Sequence, residues 1–98
     1  MDKKLSLMEI NSEKPVKKWA KEVMGKRYEE ALASIEQEKV TQETVFYFEL
    51  YGRKFLAFYI EGDALPPDMT MQINRDHRNV MDQIKIKKIK GKLIYSIN

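Results

Sequence analysis

The chain has 98 residues, no cysteine and one histidine, and it carries a net charge of +3. This length suits a single domain over residues 1–98. The absent thiols exclude a disulfide scaffold, a thiolate metal site and a cysteine nucleophile, and a lone His77 leaves no histidine cluster for a metal, so no cofactor is expected. The longest apolar run, Phe55 to Ile60, is far short of a membrane span, and the opening MDKKLSLMEI lacks a signal-peptide apolar region. The expectation is a cytoplasmic protein without membrane contact. Charge is uneven: residues 83–98 hold five lysines and no acid, which leaves 13 basic against 15 acidic residues elsewhere. The basic character is local to the C-terminal segment.

In chain order, Lys3 to Asn11 alternates as a strand, with Leu5 and Leu7 on one face and Met8 and Ile10 on the other. From Pro15 onward Val16, Trp19, Ala20, Val23, Met24, Tyr28, Ala31, Leu32 and Ile35 recur at three- and four-residue steps, which predicts one amphipathic helix over 13–38. Trp19 and Tyr28 fall on its core face, and Gly25 implies a kink or a close backbone approach. The β-branched and aromatic run Thr41 to Tyr51, a turn at Gly52-Arg53 and the run Lys54 to Glu61 predict a β-hairpin. Pro66-Pro67 marks a loop. Ile73, His77, Val80, Met81 and Ile84 then share one face of a second helix over 74–84, with Asp68 or Asn74 as its cap. Lys90-Gly91-Lys92 is a turn candidate and Leu93 to Ile97 a final strand.

The order β-α-β-β-α-β predicts an α+β, ferredoxin-like domain: one antiparallel sheet with two helices on one face. An alternative is a less regular α+β domain whose tail forms its own hairpin. Both faces of the hairpin are apolar, with Phe46, Phe48 and Leu50 against Val45 and Tyr47, and Leu56, Phe58 and Ile60 against Phe55, Ala57 and Tyr59. Two helices cover one face, and the apolar remainder predicts a homodimer.

His77 is the one side chain that titrates near neutrality, within the run Arg75-Asp76-His77-Arg78. It either faces a ligand or is a partly buried helix residue with its ring hydrogen-bonded. A pocket between sheet and helices draws His77 from the second helix, Tyr59 from the sheet and Trp19 from the first helix, enough for a small polar-aromatic ligand. The competing reading is an RNA-binding module that stacks bases on the sheet face beside the lysines. Against nucleic acid, the third strand lacks a glycine after its basic residues Arg53-Lys54, and the first strand has no aromatic residue. A third reading is a purely structural interaction module. Lysines alternating with Ile84, Ile86 and Ile89 read most simply as an edge protected from aggregation.

Glu30-Ala31-Leu32, Glu43, the hairpin end Tyr59-Ile60-Glu61 and the segment Asn74 to Met81, with D-H-x-x-V-M at Asp76, His77, Val80 and Met81, resemble a family of small bacterial proteins of unknown function within the dimeric α/β-barrel group of ferredoxin-like folds. The likeness covers nearly the whole chain. It implies the fold and a dimer but no assigned activity; distant members of the fold group that are enzymes place a ligand between sheet and helices.

Overall fold

The computed structural model describes residues 2–97. The elements are β1 (Lys3–Ile10), α1 (Lys14–Val23), α2 (Tyr28–Gln37), β2 (Val40–Leu50), β3 (Arg53–Gly62), α3 (Gln72–Ile84) and β4 (Lys85–Lys90). The four strands form one antiparallel sheet in the order β2-β3-β1-β4. The chain is therefore α+β, and it departs from the expected βαββαβ order in having two helices between β1 and β2. No helix among the described residues is long and apolar enough to cross a membrane.

The expected helix over 13–38 breaks at Met24–Arg27. The Arg27 amide bonds back to the Glu22 carbonyl at 2.9 Å, and the Tyr28 amide to the Gly25 carbonyl at 3.1 Å, so the regular ladder ends and restarts. A Cβ at Gly25 would lie 2.8 Å from the Lys21 carbonyl oxygen, so the break needs a glycine there. The restart turns Tyr28 out of the core face expected for it, and its side chain is exposed.

The hairpin turn is Tyr51-Gly52, one residue earlier than expected, because Leu50 pairs with Arg53. Both turn residues have positive φ, 51° and 74°, the handedness that matches strand twist. At the far end of β3, Gly62 has φ 125°, and a Cβ there would press into the backbone of Lys39 and Val40. The chain enters the 63–71 loop through this contact, with the Asp63 amide donating to the Lys39 carbonyl at 2.9 Å.

Two further expectations fail near the C-terminus. The second helix begins at Gln72, with Met71 as its N-cap and no side-chain cap bond. Asp68 instead accepts from the Thr70 amide and hydroxyl, and Asn74 donates to the Asp68 carbonyl. The fourth strand is Lys85–Lys90, which follows α3 without a loop; Leu93 to Ile97 has no regular secondary structure and pairs with no strand among the described residues. The lysine strand gains from its neighbour, since Lys87 pairs with Glu9 of β1 and helps hold the Glu9 carboxyl below its usual range, after the larger effect of Arg53.

One core joins the sheet to the helices. Met8, Ile10, Leu56 and Phe58 meet Trp19 of α1 and Ile73, Met81 and Ile84 of α3. Leu56 and Ile84 are its most deeply buried large side chains. Strand alternation then assigns Leu5, Leu7, Phe46, Phe48, Phe55 and Tyr59 to the opposite face.

Two glycine substitutions separate the local demands. Gly52→Ala meets open space and only a positive φ, so it costs about 1 kcal/mol. Gly62→Ala adds a backbone collision and lowers the midpoint of chemical denaturation by a distinctly larger amount. Equal effects in urea titrations would contradict this reading of the loop entry.

Candidate functional site

The segment Asn74-Arg75-Asp76-His77 starts near the N-terminal end of α3, and each of its side chains is engaged by another group. The Asn74 side-chain oxygen lies 2.6 Å from the hydroxyl of buried Ser34 on α2. Arg75 donates to the carbonyls of Met69 and Thr70 at 2.8 and 2.9 Å and so gathers the preceding loop. Asp76 accepts from Arg27 Nη1 at 2.7 Å and from Gln72 Nε2 at 2.6 Å. The Arg27 guanidinium, with help from Gln72, holds the Asp76 carboxyl below its usual range. Arg27 also forks onto Glu30 and lies over the Trp19 ring, 5.4 Å from its centroid.

The structure brings His77 and Trp19 into direct contact. The indole Nε1–H of Trp19 donates to His77 Nδ1 at 3.1 Å, with the ring centroids 6.1 Å apart. An Nδ1 that accepts carries no proton, so the neutral ring holds its proton on Nε2 and presents a donor on its other edge. His77 keeps an exposed edge, but partial desolvation of its ring against Trp19, and then the Lys88 cation, push its pKa below the ordinary 6.5. Protonation at Nδ1 would also sacrifice the indole bond, which acts in the same direction.

Tyr59 does not join them. It follows Phe58, which is buried under the helices, so alternation places it on the other side of the sheet. Its hydroxyl donates to Glu61 Oε2 at 2.7 Å, which raises its pKa. The expected trio of His77, Tyr59 and Trp19 is thus a pair beneath one sheet face and a tyrosine on the other. Arg27, Gln72 and Ser34 complete the cluster around the pair. Arg27 sits in the break after Val23 and Ser34 on the helix that follows it, and the single helix expected over 13–38 carried no signal for either; Gln72 acts within α3, four residues before Asp76.

Two open grooves flank these residues. One, of about 420 Å³, runs between α1 and α3 and is lined by Lys14, Lys18, Trp19, Glu22, Val80 and Gln83 among others. The other, of about 350 Å³, lies where the C-terminal segment passes Leu5 and Tyr59. The uncovered sheet face adjoins the second. On it Leu5, Phe46, Phe48, Leu50 and Ile89 are 37–59% exposed, and Phe48 stacks on Phe55 with centroids 5.3 Å apart. Among the described residues the ion pair on that face is closed on itself: Arg53 bonds both Glu9 oxygens at 2.7 and 2.8 Å.

Trp19 is the sole tryptophan, so its bond to His77 can be followed by fluorescence. The lowered folded-state pKa means that the unfolded chain binds the proton first as pH falls. The contribution of His77 is whole above pH 6.5 and is lost as pH falls from there through the folded value. A change in Trp19 emission in that acidic interval, absent from His77→Ala, is expected. His77→Ala also strands a buried indole N–H and costs about 1–3 kcal/mol. An emission profile identical in wild type and variant would contradict the bond.

No curated protein and no solved structure matches the chain. A family model does, over residues 1–97, and the chain belongs to that family of unknown function, DUF6176.

Proposed function

We propose that the protein works as a homodimer in which the uncovered sheet faces of two copies meet, the arrangement of the dimeric α/β-barrel group of small bacterial proteins. The observation that carries this reading is the apolar face itself. Joined by Phe55 and Tyr59 of the intervening β3, the exposed Leu5, Phe46, Phe48, Leu50 and Ile89 form one apolar surface across the sheet, and exposed patches of this kind mark interaction sites. Each large side chain withdrawn from water contributes about 1.5–3 kcal/mol before the cost of association. A two-fold axis lets the same face serve both partners.

A small-molecule role has one observation in its favour. The groove between α1 and α3 opens onto Trp19 and has Lys14 and Lys18 on its rim, which suits a small ligand with a flat apolar body and an anionic group. The space between sheet and helices is occupied by Leu56, Ile84 and their neighbours, so a ligand is better accommodated in this outer groove. RNA binding on the sheet face has less support. Base stacking needs free cations beside the aromatic residues, and Arg53 is already engaged by Glu9.

Phe48→Asp tests the dimer. The variant keeps the far-ultraviolet circular dichroism of the wild type, because Phe48 lies outside the core, and it sediments as a single chain where the wild type sediments as two. A wild type that sediments as one chain at tens of micromolar would contradict the proposal.

A further inference from the structure

The C-terminal segment departs from ordinary surface chain. The Gly91 amide donates to the Leu5 carbonyl at 2.7 Å, and this bond closes the pairing of the basic strand with β1. Beyond it, among the described residues, no backbone group of residues 92–97 bonds to another backbone group, and the segment forms no helix or strand of its own. Its side chains are apolar on both sides: Leu93, Ile94, Tyr95 and Ile97 are 58–83% exposed. The one side-chain tie is Lys3 Nζ donating to the Ser96 hydroxyl at 2.8 Å. A chain whose amides have no backbone partner and whose side chains are apolar on both sides can supply one half of a β-ladder.

The other half lies at the opposite edge of the sheet. β2 is the longest strand, and among the described residues no other strand pairs with its outer edge. It contains no lysine, arginine or proline, and its charges are Glu43 and Glu49. Edge strands of this length are ordinarily blunted by such residues, as β4 is by Lys85, Lys87, Lys88 and Lys90. We infer that residues 92–97 of one copy add as a strand to the outer edge of β2 in a second copy, and reciprocally.

Reach decides between the chain's own β2 and its partner's. The tail leaves the sheet at β4, three strand spacings from β2, or about 14 Å. Six extended residues span about 20 Å. Crossing β1 and β3 to reach its own β2 would leave too little chain to run along it. A two-fold axis gives two arms for two edges, and the lysines at the start of each arm, Lys90 and Lys92, meet an edge whose charges are acidic. The tail also lines a groove with Leu5 and Tyr59, so the arm continues the uncovered face on which the proposed dimer rests.

The chain has no cysteine, so single introduced thiols report directly. The experiment mixes Tyr95→Cys protein with Gln42→Cys, Thr44→Cys or Phe46→Cys protein, oxidises mildly and resolves the chains on a denaturing gel. Light scattering runs in parallel on the wild type and on a chain truncated after Gly91. The expected result is a chain-to-chain disulfide for at least one pairing, and a dimer weakened roughly tenfold or more by truncation. A wild-type dimer with no disulfide at any of the three positions, or one that truncation leaves equally tight, overturns the arm and leaves the sheet-to-sheet dimer standing. A wild type that is a single chain overturns both. Closure within one chain, seen when Thr44→Cys and Tyr95→Cys are combined, overturns the exchange in favour of a folded-back tail.

Discussion

A four-stranded sheet has two faces, and this chain has helices for one. Trp19, Ile73, Met81 and Ile84 reach down onto Met8, Ile10, Leu56 and Phe58, and that contact makes the core. Apart from the Glu9–Arg53 pair, the large side chains on the other side of the pleat are apolar and partly in water, because alternation gives β1, β2 and β3 as many large residues outward as inward. The functional reading follows from this imbalance. A surface of Phe46, Phe48, Phe55 and Leu5 has no catalytic chemistry of its own, but it supplies a driving force for association that a small core could not spare without consequence.

The polar residues do a different job. The D-H segment that looked most chemical in the sequence is the fastening between α3 and the α1–α2 corner. Arg27 links Asp76 and Glu30 while resting on Trp19, and His77 accepts a hydrogen bond from the indole N–H of the same tryptophan. These contacts explain why a titratable ring is held neutral beside a buried tryptophan without assigning it a reaction. What remains chemically free is the Nε2 edge of His77 and the lysine rim of the neighbouring groove. A ligand that used them would have to find its negative charge or acceptor atom met from outside the helical layer.

Much of the architecture was legible because it rests on periodicity. The three-and-four spacing of the α1–α2 region, the alternating hairpin and the shared face of Ile73, His77, Val80 and Met81 each have one physical solution, and the strands and helices fall where those patterns lie. The failures come where pattern and local chemistry compete. Gly25 signalled a disturbance, but a periodic stripe on both sides of it does not say that Tyr28 will be rotated out to solvent. The lysine-rich run was read as a protected edge and is one, β4, where Glu9 gives Lys87 a partner; the miss is the final strand placed at Leu93 to Ile97, because pairing starts directly after α3 and ends at Lys90. Tyr59 was one register step from the pocket assigned to it, and a single step in a strand moves a side chain to the other face. No resemblance could repair that, since the likeness to the family extends over sequence pattern and the family carries no assigned activity.

The central claim is that the working form of this protein hides the sheet face that the single chain leaves in water. Small-angle X-ray scattering across a concentration series addresses it most directly. The single chain has a Cα radius of gyration of 13.7 Å and extents of 37 × 35 × 21 Å. The account predicts a forward-scattering mass of two chains at tens of micromolar, with a radius of gyration well above that value and a particle thickened along the short axis. A mass of one chain with a radius near 13.7 Å throughout the series would contradict it.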